Sequence, residues 1–99
     1  MRFSFEKPKE NTVVLARTLG YRLIKADSEG ESNLIRLLGG DYPRFHLYLR
    51  DNGQNLEFNL HLDQKRPSYG QETRHSGEYD GEIIEAEAQR IKAKLASLL

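Results

Sequence analysis

Hydrophobic and polar residues alternate with a period of two in two neighbouring stretches, and that alternation organises the chain. In FHLYLR (45–50), Phe45, Leu47 and Leu49 fall on one side and His46, Tyr48 and Arg50 on the other. LEFNLHL (56–62) repeats the pattern, with Leu56, Phe58, Leu60 and Leu62 set against Glu57, Asn59 and His61. Between them DNGQN (51–55) carries Asn-Gly, a favoured tight-turn pair. The spacing predicts an antiparallel hairpin with one buried and one polar face.

The final segment, YDGEIIEAEAQRIKAKLASLL, changes period. Ile84, Ala88, Ile91, Leu95 and Leu98 recur at helical spacing and predict an amphipathic helix. Asp80, Glu82, Glu85 and Glu87 precede Arg90, Lys92 and Lys94, an order that complements the helix dipole, with Asp80 as the N-cap. Near the start, PKENTVVLARTLGY predicts another helix. Pro8 suits its first turn, Gly20 ends it, and Val14, Leu15, Thr18 and Leu19 share a face.

YRLIKA (21–26) reads as a strand and DSEGE (27–31) as a turn. SNLIRLLGG fits either a short helical turn or a mostly buried strand, and the hairpin-like turn before it favours the strand. MRFSFEKPKE reads as a charged opening with no element of its own. The expected fold is one α+β domain over 1–99 with two layers. Its three- or four-stranded antiparallel sheet has an N-terminal and a C-terminal helix packed on one face. The opposite face is then polar and open to solvent or a ligand.

Composition narrows the function classes. With 37% hydrophobic and 30% charged residues, the chain has the balance of a folded soluble protein and not of a disordered one. Lys+Arg and Asp+Glu are equal at 15 each, so no global field grips a phosphate backbone, and nucleic-acid binding needs a local patch. No apolar run reaches the length of a membrane span, and the start lacks a signal-peptide core; a cytoplasmic location without membrane contact is expected. The chain has no cysteine, so any metal must be held by His, Asp and Glu.

The polar face of the hairpin is where such residues gather. Matching the buried faces allows two registers around the turn. One sets His46 directly opposite His61; the other sets it opposite Asn59 and diagonal to His61. Asp63 follows His61 on the same face, and His75 lies in the segment that follows. His46, His61, Asp63 and His75 are therefore candidate ligands for a divalent metal such as zinc, in a metal-binding protein or small metal-dependent hydrolase. Asp63 can alternatively orient His61 as a general base. His61-Leu62-Asp63, ahead of Tyr79, partly resembles the nickases that set a His-hydrophobic-His pair opposite a helix-borne tyrosine. Asp63 stands where their second histidine would be and Tyr79 precedes the helix, so no role is carried over.

Residues 63–79 contain no apolar side chain apart from proline and tyrosine, a length of loop that in compact domains is often functional. The leading expectation is a small binding module that uses the polar sheet face and this loop on a protein partner or an anionic ligand. Tyr48, Arg50, Lys65, Arg66 and Tyr69 are its candidate contacts. The same residues would serve a single-stranded nucleic-acid-binding domain, through stacking and phosphate contacts, although the neutral net charge disfavours it.

Overall fold

The computed structural model describes residues 1–27, 29–64 and 81–99, together with the backbone of 77–78. The chain runs β1 (Arg2–Glu6), α1 (Thr12–Leu19), β2 (Arg22–Ala26), β3 (Glu31–Leu37), β4 (Arg44–Asp51), β5 (Asn55–Asp63), β6 (Gly77–Glu78) and α2 (Glu82–Ala96). The sheet order is β1-β5-β4-β3-β2, antiparallel throughout, with β6 continuing β1's edge of β5. β2 to β5 form a meander. β1 and β2 lie at opposite edges and run parallel, and α1 crosses the sheet between them.

The α+β class, the hairpin and the strand reading of SNLIRL hold; the strand number does not. Five long strands replace the expected three or four because RFSFE, read as a charged opening, is itself a strand. Its alternation is short, with Phe3 paired to Phe58 and Phe5 to Leu56 on the core side. The Phe3 and Phe58 rings stack with centroids 4.9 Å apart. Backbone bonds between Met1 and Leu60, in both directions at 2.8 Å, extend that edge.

Helix α1 also starts later than Pro8 suggests. Asn11 caps it, its side-chain oxygen accepting from the Val14 N–H at 3.0 Å, while Pro8 is buried in the segment before. This phase turns Leu15, Ala16 and Leu19 onto the sheet and leaves Val14 exposed. Gly20, with φ +82°, supplies the left-handed residue that ends the helix. In α2 the expected stripe of Ile84, Ala88, Ile91 and Leu95 is fully buried; Gly81 stands at the N-cap, and Asp80 lies outside the described residues. Both helices close over Leu34, Phe45, Leu47, Leu49, Leu56, Phe58, Leu60 and Leu62, which project from one side of the sheet. Among the described residues no helix is long and apolar enough to cross a membrane.

One charge sits inside this helix layer. Glu87 is 4% exposed and accepts from the Tyr21 hydroxyl at 2.6 Å, from Arg36 Nη1 at 3.1 Å and from Arg90 at 2.8 Å through both Nε and Nη2. Arg90 Nη2 also donates to the Leu19 carbonyl at 2.6 Å, one of the acceptors left over at the end of α1. A single carboxylate thus ties α1's C-terminus, β3 and α2 together. Its neighbour Tyr21 is held neutral, its pKa raised by burial and by the adjacent carboxylate.

Candidate metal centre on the hairpin's polar face

β4 and β5 pair in the register that sets His46 directly opposite His61, Arg44 opposite Asp63 and Tyr48 opposite Asn59. The Asn-Gly turn closes the hairpin in this register. Asp51 and Asn52 side chains accept from the N–H groups of Gly53, Gln54 and Asn55, and Gly53 takes φ +100°. β3 then adds Asn33 beside Tyr48 and Ile35 beside His46 on the same face.

This face is less open than alternation alone suggests. Ile35, which points to it, is only 4% exposed, and the His46 and His61 side chains are 13% and 12% exposed. Aromatic packing accounts for part of the cover. The Tyr48 ring stacks on His46 at 4.5 Å between centroids and lies 5.4 Å from His61, while the two imidazoles meet edge to face at 5.0 Å.

Asp63 is the hub. Its Oδ2 lies 3.2 Å from His46 Nδ1 and 3.5 Å from Arg44 Nε; its Oδ1 lies 3.7 Å from His61 Nε2. His46 Nε2 is 2.8 Å from the Asn33 side-chain oxygen. Among the described residues, His46, His61 and Asp63 are the set of ligand-type side chains whose donor atoms converge, all within 4.8 Å of one another. Around a tetrahedral zinc-type ion, ligand atoms at ordinary bond lengths stand about 3.4 Å apart. His46 Nδ1 stands 3.2 Å from Asp63 Oδ2, close to that value, and His61 Nε2 stands 3.7 Å from the other oxygen, Oδ1.

Both imidazoles are held below their ordinary pKa of 6.5. For His46 burial is the main cause; it outweighs the attraction and hydrogen bond of Asp63, and Arg44 adds to it. For His61 burial again leads, followed by the neighbouring His46; Asp63 opposes, and the Met1 amino group adds a smaller push. The rings are therefore neutral at pH 7, the state in which imidazole binds metal.

These shifts set a pH dependence of stability. A depressed histidine pKa means that the unfolded chain binds more protons than the folded one once the pH drops below the ordinary value. Stability is therefore intact above pH 6.5 and is lost as the pH falls through the range where the folded rings protonate. The melting temperature of the metal-free chain is expected to fall as the pH drops below 6.5, and a His46→Gln/His61→Gln variant to be flatter there. An equal slope in both proteins would rule this linkage out. Asp27 and Asp51, held below their ordinary 3.8, act in a separate and more acid window.

Other candidates are dispersed or fall elsewhere. Lys65, Arg66, Tyr69, His75 and Tyr79 lie outside the described residues. Arg50 is 3.4 Å from Glu31 and pairs across the strands with Glu57. With Tyr48, Asn59 and Arg2 these residues line an open groove of about 250 Å³. Two acids balance its two arginines, so this groove offers a phosphate backbone no net attraction. Glu57, which alternation puts on the same face as His61, turns to Asn52 at 3.3 Å. Asn33 was not among the residues singled out from sequence; only the β3–β4 register brings it to His46.

No protein-family model, no curated protein and no solved structure matches the chain.

Proposed function

We propose that this chain is a metal-binding protein in which His46, His61 and Asp63 hold a divalent cation of the zinc type. This prefers the metal-binding alternative to the leading expectation of a binding module for a protein partner or anionic ligand. The observation that supports it best is the His46 ring set between two oxygens, Asn33 Oδ1 at 2.8 Å and Asp63 Oδ2 at 3.2 Å. A neutral imidazole has one N–H. Donated to Asn33, it leaves the Nδ1 lone pair facing a carboxylate oxygen, acceptor against acceptor. A cation between the two atoms resolves that contact; so does the imidazolium, which burial opposes, or the Nδ1–H tautomer with the Asn33 amide turned to donate to Nε2. With the cation bound, Asn33 acts as the outer partner that fixes a metal-binding tautomer.

The test is equilibrium binding of zinc against a competing chelator, with cobalt(II) as the visible probe of geometry. The expected result is one ion per chain and the absorption of a tetrahedral or five-coordinate site. Asn33→Leu is expected to weaken binding about 10-fold while keeping the stoichiometry, the size seen for lost outer-shell partners. Binding that is equally tight in a His46→Gln/His61→Gln variant would place any ion elsewhere and end the proposal.

A further inference from the structure

We infer that the metal-loaded site accepts a small oxyanion, a carboxylate or phosphate ester, and that Arg44 recognises it. This rests on the cation site proposed above and adds what that site binds in turn. Three protein ligands leave a zinc-type ion with an open position for an exogenous group. The charge count says which kind of group. Among the described residues the converging set contains one carboxylate, Asp63, and two imidazoles, which ligate a metal as neutral rings. Arg44 contributes a positive charge beside it. A bound dication therefore leaves two positive charges in excess where the side chains are largely withdrawn from water, and uncompensated charge there is costly. An anionic ligand removes the excess.

Arg44 is placed to receive it. Its Cα is paired with that of Asp63, and its guanidinium lies over the Tyr42 ring at 4.7 Å. Among the described residues its hydrogen bonding consists of Nε donating to Asp63 at 3.5 Å, which leaves the terminal N–H groups available. A guanidinium fork steadied on an aromatic ring matches the geometry of a carboxylate or phosphate. Arg50, by contrast, already faces Glu31 and Glu57.

The experiment uses the full chain loaded with cobalt(II), titrated separately with acetate and with methyl phosphate, and followed by visible absorption and calorimetry. One or both anions should perturb the cobalt bands saturably, and the anion that does so identifies the oxyanion class. Arg44→Gln should take up cobalt with unchanged stoichiometry yet bind that anion about 10-fold or more weakly. Arg44→Lys, which keeps the charge and loses the fork, should fall between. Normal cobalt uptake with no response to either anion overturns the inference and leaves the cation site standing. So does undiminished anion binding in Arg44→Gln. No cobalt uptake at all removes the cation site and this inference with it.

Discussion

Replacing Glu87 by alanine is expected to destabilise the fold by about 3 kcal/mol, a large part of the total stability of a domain this size. The carboxylate is 4% exposed, whereas its partners Arg36 and Arg90 keep 31% and 29% of their side-chain surface in water. Removing it strands two guanidinium groups and leaves the buried Tyr21 hydroxyl without its acceptor. Because water can still reach both arginines, the lower end of the range for a broken buried ion pair applies. Glu87→Gln keeps an acceptor for Tyr21 and loses the charge, so it should cost less than the alanine variant. Urea unfolding of the three proteins checks this order. An alanine variant within about 1 kcal/mol of the native chain would show that the network contributes no more than a surface ion pair.

Asp63→Asn is expected to lower zinc affinity by about 100-fold, close to 2.7 kcal/mol, without unfolding the chain. The substitution preserves shape and the β4–β5 register but removes the anionic ligand of the set. It also replaces one of the two oxygens, of which Oδ2 faces His46 and Oδ1 faces His61, with an NH2 that cannot ligate. Its effect should exceed that of Asn33→Leu, because Asn33 touches only the outer nitrogen of His46. Competition with a chromophoric chelator reads both variants on one scale. Equal losses in the two, or none in Asp63→Asn, would show that the carboxylate is not a ligand.

What could be read from sequence follows from how local each signal is. The hairpin and α2 carry strong periods of two and 3.6, so their faces were legible and placed His46, His61 and Asp63 together. The register was not: two alignments bury the same leucines, and only the pairing of His46 with His61 distinguishes them. β1 was missed because a five-residue alternation flanked by charges is weak until Phe3 and Phe5 find β5. Glu87 reads from sequence as one of the acids that complement the helix dipole, yet it lies three residues after Ile84 and four before Ile91, on the buried stripe itself. Its spacing was the available signal; its partners Tyr21, just after α1, and Arg36 on β3 were not local. Asn33 and the role of Arg44 depend on pairing between strands, which no single segment encodes.

The most direct measurement is a zinc titration of the folded chain followed by two-dimensional NMR of the histidine side chains. One equivalent of zinc is expected to shift the His46 and His61 resonances together, with His46 bound through Nδ1 and its Nε2–H retained toward Asn33. Imidazoles that respond independently, or only at about a thousandfold weaker affinity than a built zinc site shows, would contradict the metal-centre assignment.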